Sequence, residues 1–126
     1  MNLNAAGIDH LNLDVKSLEQ TIEFYSKLFG FTILKEQPEE NSKIIGTEHV
    51  KLCLYQKDEF DQFKKNGFNH FGLHINNFGD VMQKCTELGI EVYYGGPIEW
   101  ESSSSIYIKD PNGYEIELAK EFGGGL

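Results

Sequence analysis

The stretch Ile8-Asp9-His10-Leu11-Asn12-Leu13-Asp14-Val15 is written twice in this chain, since Phe68-Asn69-His70-Phe71-Gly72-Leu73-His74-Ile75 repeats its pattern at an offset of 60 residues. In each copy a histidine stands immediately before an alternating apolar pattern. The segments after the two copies also match: a helix-like segment, then Leu28-Phe29-Gly30-Phe31-Thr32-Ile33 in the first half and Leu88-Gly89-Ile90-Glu91-Val92 in the second. An internal repeat constrains architecture before local propensities are weighed. Two copies do not make a solenoid. They read as two related halves of one domain, with a histidine from each half near a common axis.

Working outward, side chains alternate across a strand, so Ile8, His10, Asn12 and Asp14 share one face while Leu11, Leu13 and Val15 share the other. Ser17 with Gln20 three positions on has capping-box spacing. Leu18, Ile22, Tyr25, Leu28 and Phe29 then recur at helical intervals, and Gly30 suits the left-handed C-cap. Strands are predicted at 31–35, 43–46 and 50–56, with a proline-punctuated loop at 37–42. The first module, about 7–56, is thus β-α-β-β-β.

Residues 57–67 carry Phe60 and Phe63 and are predicted as a short amphipathic connector helix. In the second module, about 68–120, His70, Gly72 and His74 share one face of the repeat strand. A helix starting at Asn77 or Gly79 is stopped by Gly89, a strand covers 92–94, and Gly95-Gly96-Pro97 is predicted as a turn. Trp100 falls in an exposed loop, where it could line an apolar pocket or make a dimer contact. Strands at 103–109 and 114–120 flank Asp110-Pro111-Asn112-Gly113, which has tight-turn chemistry. Residues 121–126 read as a flexible tail. The expected fold is α+β: two tandem βαβββ modules, helices outside, in a single domain spanning 1–126.

The 126 residues suffice for one core at 40% hydrophobic content. No run of about 18 apolar residues and no basic leader is present, so a cytoplasmic protein is expected. Cys53 and Cys85 lie in apolar segments without C-x-x-C spacing and read as buried free thiols. A net charge of −9 argues against nucleic acid or an anionic membrane as partner. All 11 basic residues are lysines, so the bidentate arginine fork that commonly grips carboxylates and phosphates is missing.

His10 and His70 become candidate ligands because equivalent repeat positions come close to a pseudo-symmetry axis. Glu117 is the candidate third group, since a carboxylate between Ile116 and Leu118 is costly to bury without a cation or hydrogen-bonding partner. Two imidazoles and one carboxylate form a recurrent divalent-metal set. Glu115 shares that face but adjoins the turn, so solvation is expected for it. His49, beside Glu48, reads as exposed.

The paired modules, their first-strand histidines and Lys109-Asp110-Pro111-Asn112-Gly113-Tyr114-Glu115-Ile116-Glu117-Leu118 resemble the vicinal oxygen chelate superfamily. That superfamily includes glyoxalase I, extradiol dioxygenases, methylmalonyl-CoA epimerase and the fosfomycin- and bleomycin-resistance proteins. The resemblance runs from about Gly7 to Lys120 and implies that each module curls, giving a cupped mixed sheet around a central cavity. It implies metal ligation by His10, His70 and Glu117, with Mn, Fe, Zn, Ni or Co as the divalent ion. The family's frequent fourth ligand, on the last strand of module one, is expected to fall on Leu52, which cannot bind a metal; a frame shift of one residue would place Cys53 there. Ser105 and Tyr107 match serine and tyrosine positions of the fosfomycin-resistance branch.

Two functions are implied. One is a metal-dependent lyase, isomerase or dioxygenase acting on a small substrate with vicinal oxygens, with His74 or Tyr107 as candidate catalytic groups that move a proton. The other is a non-catalytic, bleomycin-resistance-like binder of a small cationic molecule. A homodimer is expected in either case.

Overall fold

A computed structural model describes residues 2–4, 7–61 and 68–121. The chain divides into two compact units, Met1–Phe60 and Asp61–Leu126, parting inside the predicted connector. Residues 57–61 form no helix, and the rest of the predicted connector helix, with residues 122–126 of the tail, lies outside the described residues.

The first unit runs β1 (Leu11–Val15), α1 (Leu18–Phe29), β2 (Thr32–Gln37), β3 (Ser42–Gly46) and β4 (Lys51–Gln56). Its sheet has the order β1-β4-β3-β2, with β1 parallel to β4 and the other pairs antiparallel. The Ser17 side chain accepts from the Gln20 amide, and Gly30 ends α1 at φ 71°. Leu13, Val15, Tyr25, Phe31, Ile45, Leu52 and Leu54 are buried. Tyr25 stacks on Phe31 with ring centroids 5.9 Å apart. The expected 37–42 loop contains a single 3-10 turn, Pro38–Glu40, closed by Asn41 at φ 52°.

The second unit repeats the plan: β5 (His70–His74), α2 (Val81–Leu88), β6 (Tyr93–Glu99), β7 (Ser104–Lys109) and β8 (Glu115–Ala119). A 3-10 turn, Phe78–Asp80, leads into α2, and Gly89 ends it at φ 67°. The order β5-β8-β7-β6 matches the first sheet, again with one parallel pair, β5 and β8. Both βαβββ modules therefore form as the sequence predicts.

One expected turn is not a turn. Gly95-Gly96-Pro97 lies within β6, where the pairing jumps from Tyr93↔Tyr107 to Ile98↔Ser105. The extra residues form a wide bulge, carried by positive φ at Tyr94 (60°), Gly95 (83°) and Gly96 (105°). The strand continues through it because pairing to β7 resumes at Ile98 and Glu99. The Asp110 turn forms as expected: its Oδ1 accepts from the amides of Asn112 (2.8 Å) and Tyr114 (3.0 Å), and Gly113 takes φ 87°. Among the described residues, no helix is long and apolar enough to cross a membrane.

Candidate functional site

Strand alternation and register build a polar cluster on one face of the second sheet. His70 pairs with Glu115, and Gly72 with Glu117, across the parallel β5–β8 pair. Tyr107 and Ser105 reach the same face from β7, where Tyr107 pairs with Glu117 and Ser105 with Ala119. Every residue of β8 is buried.

Glu117 is 8% exposed, and both of its oxygens are engaged. Oε2 accepts from Ser105 Oγ at 2.8 Å. Oε1 accepts from the Tyr107 hydroxyl at 2.8 Å and lies 3.1 Å from His70 Nε2. Ser105 is itself held, because the Trp100 indole N–H donates to its Oγ at 2.9 Å. A chain of donors therefore runs from Trp100 through Ser105 to the carboxylate. Burial, with the bond to Glu117 second, pushes the Tyr107 phenol up to about 12. At neutral pH Tyr107 is a hydrogen-bond donor to Glu117, not a base.

Glu115 departs from expectation. It is 7% exposed, not solvated. The Tyr94 hydroxyl donates to its Oε1, and its Oε2 lies 3.7 Å from His70 Nδ1. The bond to Glu115 is the main cause holding the Tyr94 phenol above its ordinary value. The β6 bulge puts Tyr94 there, and bulges commonly re-aim a side chain next to a site. The alternation that Glu115 shares with Glu117 is the signal in the sequence. It is masked because turn-adjacent residues are usually wet. Tyr94 and Tyr107 meet edge to face at 5.3 Å, and His70 meets Tyr107 the same way at 5.8 Å.

His74 is not in this cluster. Its Nε2 donates to the Lys120 carbonyl at 2.9 Å. Four residues of strand rise, roughly 13 Å, separate it from His70 along β5. Trp100 belongs to the site through Ser105, while His49 is exposed as expected.

In the first unit His10 stands just before β1, half exposed, with Nδ1 2.7 Å from Asp9 Oδ2. That bond is the main cause holding the Asp9 carboxyl below its ordinary range. Within each unit taken by itself, the described residues group no three His, Cys, Asp or Glu side chains in metal-binding geometry.

The registers correct one expectation. Glu117 pairs with Gly72, two residues past His70, and with Tyr107. In the first unit the residue pairing with Asn12, two past His10, is Cys53, which also pairs with Ile44. Cys53, not Leu52, therefore holds the counterpart position to Glu117. Leu52 is fully buried on the other face. The parallel extends further: Ser42 Oγ lies 3.9 Å from Cys53 Sγ, as Ser105 Oγ lies beside Glu117. The first unit thus carries a thiol where the second carries a carboxylate.

A family model described as Glyoxalase/Bleomycin resistance protein/Dioxygenase superfamily matches residues 7–118. Lactoylglutathione lyase of Escherichia coli O157:H7 is 28% identical over 92% of this chain and 93% of its own length. The trivalent organoarsenical cleaving enzyme of Bacillus sp. (strain MD1) is 30% identical over 86% of this chain and 70% of its own length. A mutant of the fosfomycin resistance protein FosX from Listeria monocytogenes, complexed with Mn(II) and dihydroxypropylphosphonic acid, superposes with a TM-score of 0.75 at 20% identity, covering 94% of this chain and 93% of that one.

Proposed function

Because this chain belongs to the Glyoxalase/Bleomycin resistance protein/Dioxygenase superfamily, we propose that it is a metal-dependent enzyme in which His10, His70 and Glu117 hold a divalent cation and a small substrate binds through adjacent oxygens. The observation that carries the reading is the state of Glu117. A buried carboxylate facing an imidazole nitrogen at 3.1 Å is a donor pair suited to a shared cation. His10 enters by the repeat, as the counterpart of His70. The relatives named as a lyase and a cleaving enzyme support catalysis over simple binding.

When bound, such an ion supplies Lewis acidity toward the substrate oxygens. The chain's own residues supply the rest. Ser105 and Tyr107 fix the Glu117 carboxylate from two sides, and Trp100 fixes Ser105. Tyr107 keeps its proton and orients. Glu115, buried and close to His70, is a second carboxylate available to hold or move a proton. The fourth position, Cys53, lacks the carboxylate that glyoxalase- and epimerase-type members often place there.

Metal analysis of freshly purified protein tests this reading. We expect about one equivalent of a transition metal, lost in His70→Ala with the fold retained by circular dichroism. Undiminished metal in His70→Ala would sink the ligand assignment. A second reading, a binder of a flat cationic molecule, is favoured by Tyr94 and Tyr107 packed beside two buried carboxylates. Protein that binds no divalent ion but does bind an aromatic cation would select it.

A further inference from the structure

The two repeat histidines are held alike, each by the residue just before it. Asp9 Oδ2 lies 2.7 Å from His10 Nδ1, and Asn69 Oδ1 lies 2.6 Å from His70 Nδ1. Asp9 and Asn69 are themselves repeat partners. The arrangement recurs although His10 precedes its strand and His70 begins one, so it is not a by-product of sheet register.

A neutral imidazole has one ring hydrogen, and an acceptor on Nδ1 places it there, leaving the lone pair on Nε2. An ionised carboxylate only accepts, so Asp9 allows no other neutral tautomer of His10 in this bond. Asn69 favours the same tautomer with its oxygen on Nδ1, and Glu115 Oε2, 3.7 Å from the same nitrogen, adds negative charge behind it. The opposite nitrogen of His70 then faces Glu117 Oε1 at 3.1 Å. Two lone pairs at that separation repel unless a cation or a proton lies between them.

We propose that Asp9 and Asn69 are positioning residues, each pinning its histidine by Nδ1 so that Nε2 is the nitrogen presented for metal. The geometry stands by itself, while its consequence for metal rests on the reading of His10 and His70 as ligands. Groups on the far nitrogen of a metal-bound histidine typically change metal affinity about 10–100-fold.

The test is imidazole ¹⁵N spectroscopy of wild type, Asp9→Ala and Asn69→Ala, metal-free at about pH 9 where histidine is neutral, and then with Zn²⁺. His10 is expected with its hydrogen on Nδ1 in metal-free wild type, shifting toward Nε2–H in Asp9→Ala. In zinc-loaded wild type the ion is expected on Nε2 of both rings. Apparent zinc affinity should fall roughly 10–100-fold in each alanine variant, and Asp9→Asn, which keeps an acceptor oxygen, should recover most of the loss. Zinc on Nδ1 of either ring, or alanine variants with unchanged ring signals and affinity, overturns the proposal. If wild type binds no zinc, the metal reading fails; the metal-free spectrum still decides the positioning role, and Nε2–H at His10 overturns it.

Discussion

Glu117 is tolerated in a strand buried from end to end because both of its oxygens have partners. Removing one partner strands buried charge, and hydrogen bonds to charged groups contribute about 1.5–3 kcal/mol. Tyr107→Phe is therefore expected to destabilise the chain by about that amount at neutral pH, measured by urea denaturation. The pH dependence has a definite sign. The folded-state phenol stands at about 12, above its ordinary value of 10.0, so its contribution is complete below the ordinary value and fades as pH rises through the folded one. The stability gap between wild type and Tyr107→Phe should stay constant up to about pH 10 and close toward 12. A gap that closes near neutrality would contradict the assignment of Tyr107 as donor. At this scale Glu117 was legible from its apolar neighbours, whereas Glu115 was not, because its partner Tyr94 arrives by way of a bulge.

Among the elements, the turn from β3 to β4 is the most sterically committed. Gly46 has φ 144°, and a Cβ there would lie 1.9 Å from the Val50 carbonyl oxygen. That oxygen already accepts from the Thr47 amide at 2.8 Å, while the Thr47 hydroxyl accepts from the His49 and Val50 amides. Gly46→Ala must move backbone and is expected to cost about 2–4 kcal/mol. Ser17→Ala, which removes only the bond to the Gln20 amide, should cost about 1 kcal/mol. Denaturant midpoints of the two variants rank them, and the reverse order would refute this account of the turn. Helix α2 begins at Val81 after Asp80, not at Asn77 or Gly79, because a 3-10 turn intervenes. The caps of α1 and the C-cap of α2 were readable because capping chemistry is local. The β6 bulge was not, since Gly95-Gly96-Pro97 has the composition of a turn, and only pairing with β7 makes it strand.

For the whole molecule, the two sheets repeat one topology and diverge in chemistry, with Cys53 opposite Asn12 where Glu117 stands opposite Gly72. Removal of the proposed ion should be felt in the stability of the folded protein. A cation that binds only the folded protein stabilises it by about 2.7 kcal/mol when present at about 100 times its dissociation constant. We expect chelation to lower Tm and re-addition of Mn²⁺ or Zn²⁺ to restore it, with His70→Ala unresponsive to both in differential scanning calorimetry. A response in His70→Ala equal to that of wild type would argue against His70 as a ligand. The charge of −9 and the lack of arginine act at the same scale. They set what the surface attracts and leave the fold untouched.

By itself the sequence determined the duplication, the two βαβββ modules, the alternating faces of β1 and β5, and His70 and Glu117 as separate candidates. Each depends on periodicity or on residues a few positions apart, which the chain records directly. Only the tertiary structure decided that Cys53 replaces Leu52 as the counterpart of Glu117, that Glu115 is buried, and that Trp100 and Tyr94 support the site. These depend on register between strands, which turns and bulges set at a distance. A shift of one residue exchanges the two faces of a strand, so a local pattern can give the period and still misplace the residue.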